Sequence, residues 1–202
     1  MSARKPSDDR KAEIVLITLD LAFEVGPDHV TTGMIAKRLG VSQPAIYKHF
    51  PKKEDIWQAV TDTLCARIAA NTARARSPEE GPFDQVRTLV LGHLAIIHAT
   101  PALPEIMVTR DPTGNLTKTR ARIHTAMGAF RAALVTSLDA AHEAGRLPAG
   151  VTVEDAVKLM FGLIQGLVLR LIVGRDIAVL ESDGARLLDL QLALLGNTGD
   201  KL

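Results

Sequence analysis

The sequence predicts an all-α fold of about nine helices. Three observations carry that expectation. Apolar residues recur at steps of three and four along most of the chain. No stretch alternates with the period of two that marks a half-buried strand, and Gly or Pro interrupts the pattern at spacings suited to helix ends. The 202 residues are 47% hydrophobic, enough for a packed core and far from the composition of a disordered chain. The expected organisation is a small N-terminal domain over residues 1–52 and a larger helical domain over 53–202.

Residues 1–8 form a polar arm of mixed charge. The first residues (SARKPSDDRK) contain no apolar core of the kind that directs secretion, so no signal peptide and a cytoplasmic location are expected. A helix begins near Asp8 or Asp9, whose charge suits a helix N-terminus. Ile14, Ile17, Leu21 and Val25 make its stripe, widened by Leu16, Ala22 and Phe23, and Gly26-Pro27 ends it.

Residues 31–53 read TTGMIAKRLGVSQPAIYKHFPKK. Thr32 is placed to cap a short helix by accepting from a free backbone N–H. Ile35, Ala36 and Leu39 share one face, and Gly40 sits where the helix must stop in a left-handed turn. Ser42 starts a second helix and Pro44 lies in its first turn, where a missing N–H costs little. Ile46 and Phe50 face inward, leaving Gln43, Ala45, Tyr47, Lys48 and His49 outward, and Pro51 ends the helix. Two short helices joined by such a turn form a helix-turn-helix, whose second helix is shaped to enter the DNA major groove.

Charge points the same way. The net charge is only +1, but residues 30–53 contain no Asp or Glu while Lys37, Arg38, Lys48, Lys52 and Lys53 are basic. A local patch of this kind replaces the counterions condensed on a duplex. A solvated basic face is the plainer alternative.

After Pro51 one long helix is expected to about residue 76, with Glu54 and Asp55 in its first turn and Arg74 and Arg76 in its last. Ile56, Val60, Leu64 and Ile68 form its stripe. The single cysteine, Cys65, excludes an intrachain disulfide, fits a reducing compartment and reads as an ordinary half-buried thiol. The run SPEEGP at 77–82 signals a linker. Helices follow over 83–98 and, after Pro101 and Pro104, in a short segment ending near Arg110. A turn at 111–114 leads to a long helix over 115–144, closed by Gly145. Thr152 caps the next, with Glu154 and Asp155 in its first turn, and Gly174 closes it near Val173. Its apolar run 159–173 is broken by Gln165 and Arg170 and is short for a bilayer span, so it reads as a buried helix. The last helix, about 177–195, carries Leu180, Leu187, Leu188, Gln191, Leu194 and Leu195.

Two further patterns stand out. Gly162 and Gly166 have the spacing that lets helices approach closely, either within one subunit or between two. His93, His98, His124 and His142 match no compact set of metal ligands, since His93 and His98 are about 140° apart on a helix. No metal or cofactor is expected. No Ser-His-Asp order, phosphate loop or carboxylate pair is present to suggest an enzyme.

The pattern T-x-x-x-I-A-x-x-L-G-V-S-x-x-x-I-Y-x-H-F-x-x-K-E-D, within residues 9–57, together with an all-helical remainder, resembles the TetR (tetracycline-repressor-like) family of transcriptional regulators. The resemblance implies a homodimer, a palindromic operator in double-stranded DNA, and release when a small-molecule effector binds the C-terminal domain. Thr32 and Lys53 match phosphate-contacting positions. Gln43, Ala45, Tyr47, Lys48 and His49 match positions that reach bases or backbone, Gln43 suiting adenine and Lys48 guanine or phosphate. Lys37, Ser42, Pro44 and Lys52 complete the expected DNA-facing set, with Pro44 standing where many relatives have glycine. The family's dimerisation pair is its last two long helices, which implies an interface of Leu159, Gly162, Gly166, Leu167, Arg170, Leu187, Gln191 and Leu194.

An effector pocket is expected among the middle helices, around His93, Ile97, Met107, Arg110, His124, Met127, Phe130, Phe161 and Gln165. Only 3% of residues are aromatic, which fits an aliphatic or small polar effector better than a large aromatic cation. A transcriptional activator of the same fold is the nearest alternative. A non-regulatory helical binding protein or enzyme is a more distant one.

Overall fold

The computed structural model describes residues 7–77, 79–110, 114 and 116–196. Among them the chain is all helix and turn, without a strand. The helices are α1 (Ser7–Val25), α2 (Thr32–Leu39), α3 (Gln43–Tyr47), α4 (Lys53–Arg74), α5 (Pro82–Ala99), α6 (Ala102–Val108), α7 (Thr117–Glu143), α8 (Val153–Gly174), α9 (Ala178–Ser182) and α10 (Gly184–Gly196), with a 3-10 turn at Pro27–His29. Part of the expected N-terminal arm and most of the expected 111–114 turn lie outside the described residues.

The described residues group into two compact units. One runs up to Ala66 and takes in Thr100–His124; the other comprises Arg67–Ala99 and the chain from Thr125. In the first, α1 packs against α2 and α6, and α2 against α3. Ile14, Leu21 and Ala22 of α1 are buried there, with Ile35, Ile46, Ile56 and Ile106. Leu16 and Val25, expected on the core stripe of α1, are 50% and 41% exposed. Val15, Thr18 and Leu19 are buried in their stead, because the face that α1 buries is rotated toward them. Ile56, Val60 and Leu64 of α4 are fully buried as expected, and burial pushes the Cys65 thiol pKa up, keeping it protonated.

The second unit is built from α5, α8, α9 and α10 with the end of α4 and the later part of α7. Thr152 and Asp155 form a reciprocal capping box at the start of α8: Thr152 Oγ1 accepts from the Asp155 amide at 3.1 Å, and Asp155 Oδ2 from the Thr152 amide at 3.3 Å. The left-handed residue that ends α8 is Arg175, at φ 53, rather than Gly174, which remains helical.

The single last helix expected from the sequence is two. It breaks at Asp183, whose carboxylate takes Arg186 at 2.9 Å and Arg170 at 2.5 Å. Gly184 then opens α10 where Leu94 of α5 would lie 2.9 Å from an added Cβ. The close approach of α5 thus fixes where the chain restarts. The buried-helix expectation for α8 holds for one face only: Met160, Ile164, Leu167 and Leu171 are buried, while Leu159, Leu169 and Val173 are 47%, 61% and 76% exposed. Among the described residues α8 is also the single helix long and apolar enough, by length and composition, to cross a membrane, and a third of that stretch is buried.

Candidate nucleic-acid interface

Local sequence sets the two short helices. Thr31, extended at φ −119 and ψ 154, caps α2 through Oγ1, which accepts from the Met34 amide at 3.2 Å. The capping role expected of Thr32 therefore falls one residue earlier. Thr32 is already helical and only 6% exposed, with its hydroxyl turned toward α3. Gly40 adopts φ 67 and ψ 32, and the Val41 amide closes the turn on the Ala36 carbonyl at 3.0 Å. Ser42 precedes α3 as an extended N-cap residue without a side-chain cap bond, and Pro44 sits in the first turn. Ile46 and Phe50 are buried, as are Ile35 and Ala36.

That packing leaves one face of α3 outward. Gln43, Pro44, Tyr47 and Lys48 are exposed, and Ala45 and His49 half-buried. The Gln43 amide nitrogen donates to Thr32 Oγ1 at 2.7 Å, and the same oxygen lies 3.2 Å from the Tyr47 hydroxyl. Around this face Lys37, Ser42 and Lys52 are exposed and Lys53 is half-buried at the start of α4. Asp55 accepts from the Lys52 amide at 2.9 Å, which anchors that start.

One cation of the basic window is spoken for. Arg38 forms a two-bond pair with Glu24 of α1, Nη2 to Oε2 at 2.6 Å and Nη1 to Oε1 at 2.9 Å. The hydrogen bond from Arg38 holds the Glu24 carboxyl below its ordinary pKa, and Glu24 raises that of the guanidinium. The stretch is free of acid in sequence but not in space. Glu24 lies fourteen residues from Arg38, so no local pattern signals the pairing. Lys11 of α1 meanwhile places its ammonium 5.9 Å above the centre of the Phe50 ring.

Residues 14–60, which hold all of this frame, match the family described as bacterial regulatory proteins, tetR family. This segment is the DNA-binding domain of the TetR family. The chain is 26% identical over 198 residues to the probable HTH-type transcriptional regulator ArpR of Pseudomonas putida, covering 95% of this chain and 94% of that one. It is 25% identical over 107 residues to the nucleoid occlusion factor SlmA of Vibrio vulnificus strain YJ016, covering 53% of this chain and 55% of that one. The matched part is therefore about half the length of the SlmA relatives. Among solved structures, the ketosteroid transcriptional regulator KstR2 of Mycobacterium tuberculosis superposes with a TM-score of 0.75 over 95% of this chain and 96% of that one, at 16% identity. A likeness at that identity speaks for the fold.

All eight residues expected at a dimer interface come together. Leu159, Gly162, Gly166, Leu167 and Arg170 of α8, with Leu187, Gln191 and Leu194 of α10, line one broad apolar groove of about 700 Å³. Leu194 is 64% exposed and neighbouring Leu190 55%. A Cβ added at Gly162 or Gly166 would meet nothing within 4 Å. Packing inside the subunit therefore does not require either glycine.

The nine residues expected at an effector pocket do not gather in this way. Met107, Arg110 and His124 belong to the first unit, and His93, Ile97, Met127, Phe130, Phe161 and Gln165 to the second. Arg110, His124 and Gln165 are exposed, where solvent satisfies their polar groups, and do not line an interior. Met107 and Met127 are half-buried. His93, Ile97 and Phe130 are buried, and Phe161 packs edge-on to Phe130 with ring centres 5.9 Å apart. None of the nine lines the α8–α10 groove. Among the described residues no three His, Cys, Asp or Glu side chains cluster as a metal site.

Proposed function

We propose that this chain is a homodimeric, ligand-responsive transcriptional repressor of the cytoplasm. The reading domain is residues 1–52, and the effector and dimerisation domain is 53–202. The observation that carries the proposal is the outward face of α3, where Gln43, Pro44, Tyr47 and Lys48 stand on a buried frame beside exposed Lys37 and Lys52. A five-residue helix presenting amide and phenol groups, with the Lys48 ammonium at its C-cap, has the donors that base edges and phosphates accept.

The dimer reading is supported by the α8–α10 groove. Its exposed leucines and unused glycines suit the same surface of a second copy, packed about a two-fold axis. Two copies of α3 would then enter successive major grooves about 34–36 Å apart, or a multiple of that, on a palindromic operator. The effector would enter the second unit beside His93, Phe130 and Phe161, an apolar setting with one polar group. Because α4 runs continuously from the first unit into the second, it is the element through which effector binding would shift the readers, with a coupling of about 1–3 kcal/mol.

Selection from a randomised duplex pool tests the reading. The expected product is an inverted repeat retained by the chain at moderate salt. Recovery of no sequence above the starting pool would contradict it.

A further inference from the structure

The hydroxyl of Thr32 joins two outward side chains of α3, Gln43 and Tyr47. It is 6% exposed, accepts from Gln43 Nε2 at 2.7 Å and lies 3.2 Å from Tyr47 Oη. We propose that Thr32 is the positioning residue of the DNA-reading face, ordering Gln43 and Tyr47 through a three-group hydrogen-bond chain. The inference rests on the DNA-binding reading above and deepens it.

The direction of the chain follows from counting hydrogens. A threonine hydroxyl has one hydrogen and two acceptor sites. Gln43 uses one acceptor site. If Tyr47 also donated to Thr32, the Thr32 hydrogen would be left without either partner in a site almost closed to water, at the cost of a buried unsatisfied donor. With the Gln43 N–H donating to the Thr32 oxygen, the arrangement that satisfies every group sends the Thr32 O–H to the Tyr47 oxygen. The phenol hydrogen of Tyr47, 41% exposed, is then turned outward as a donor.

Two consequences follow for recognition. Each donor in the chain polarises the next, so the Tyr47 hydroxyl becomes a stronger donor to a phosphate oxygen. The Gln43 amide is meanwhile fixed in orientation, its oxygen 3.9 Å from where a Cβ on Gly33 would sit. One N–H is committed to Thr32, and the second N–H and the carbonyl remain for a base edge. A single hydroxyl thus sets both a sequence-reading group and a phosphate-reading group.

The test uses Thr32→Val, which keeps shape and burial but removes the hydroxyl, with Thr32→Ser as the conservative rescue. The probe is a labelled duplex selected by the wild-type chain from a randomised pool, with a panel of single base-pair changes. Thr32→Val is expected to lower affinity about tenfold and to flatten discrimination at the same base pair that Gln43→Ala flattens, with helix content unchanged. Thr32→Ser is expected to retain both affinity and discrimination. Tyr47→Phe is expected to lose affinity while keeping the Gln43-dependent discrimination. If Thr32→Val loses helix content, Thr32→Ala serves the same comparison. Wild-type affinity and base preference in both hydroxyl-free variants, alongside losses in Gln43→Ala and Tyr47→Phe, would overturn the positioning role and leave the DNA-binding reading standing. Selection of no duplex by the wild-type chain would instead remove that reading.

Discussion

The imidazole of His93 lies 4.8 Å from the ring of Phe130, centre to centre and tilted by 43°, and among the described residues its Nδ1 has no hydrogen-bond partner. Burial lowers its pKa to about 4 from the usual 6.5, because an imidazolium cannot be solvated there. Above pH 6.5 the ring is neutral in both folded and unfolded chains and contributes no pH dependence. Below it the unfolded chain takes up a proton that the folded chain refuses. Stability is therefore lost as pH falls from about 6.5 toward about 4, by up to roughly 3 kcal/mol. Carboxylates held low by arginines, such as Asp183 beside Arg186 and Asp189 beside Arg87, add losses as pH falls through their lowered range. His93→Leu should remove the part of the slope between pH 6.5 and 4.5 and keep or raise stability at pH 7. Urea denaturation at a series of pH values checks this, and an unchanged slope in the variant would count against a neutral buried imidazole.

Gly162 and Gly166 allow the proposed dimer to be tested without disturbing the subunit fold. Neither position is crowded in the subunit, and glycine is a poor helix former by about 1 kcal/mol relative to alanine. Gly166→Leu should therefore keep or raise helix content while blocking the close approach of a second α8. Light scattering is expected to give a dimer for the wild type and a monomer for the variant. A variant that remains dimeric would place the interface elsewhere.

Gly92 behaves in the opposite way. An added Cβ would lie 1.8 Å from Asn71 Oδ1, and the Asn71 amide donates to the Leu89 carbonyl at 2.9 Å in a buried setting. Gly92→Ala must displace Asn71 and break that bond, at a cost of about 1–3 kcal/mol. Denaturation midpoints measure it, and a neutral substitution would mean that α5 shifts without resistance.

The Glu24–Arg38 pair predicts a gain on the DNA side. Glu24→Gln removes the charge that occupies Arg38 and leaves a free guanidinium on α2. Binding to unrelated duplex should tighten, and the salt dependence should steepen by about one counterion per subunit. An unchanged salt slope would mean that Arg38 does not approach the phosphates even when released.

Much of the reading frame was legible because local rules decide it. Gly40 takes the left-handed turn its position demanded, Pro44 falls in a first turn, and Thr152 with Asp155 forms the capping box their spacing announced. Adjacent threonines were the harder case. Sequence chose Thr32 as the cap, whereas Thr31 caps and Thr32 turns inward, a difference of one residue that only the packing of α2 on α3 resolves. The break at Asp183 was hidden for a similar reason: it depends on Arg170, Arg186 and the approach of Leu94, none of which alters the helical period of α10. The α8–α10 groove was reached through the family resemblance, which implies the last two long helices, with the Gly162–Gly166 spacing beside it. Buried His93 and Phe130 leave no such mark, since in sequence they look like any other core residues.

The proposed reading of DNA through the outward face of α3 rests on side chains such as Tyr47. Fluorescence polarisation of a labelled duplex selected by the wild-type chain, titrated in parallel with wild type and Tyr47→Ala, tests it most directly. Tyr47 is 41% exposed, so its loss should leave helix content and dimer mass unchanged. Wild-type binding that falls steeply with salt, and a loss of at least about tenfold in Tyr47→Ala, is the predicted result. Equal affinity of the two proteins would contradict the account.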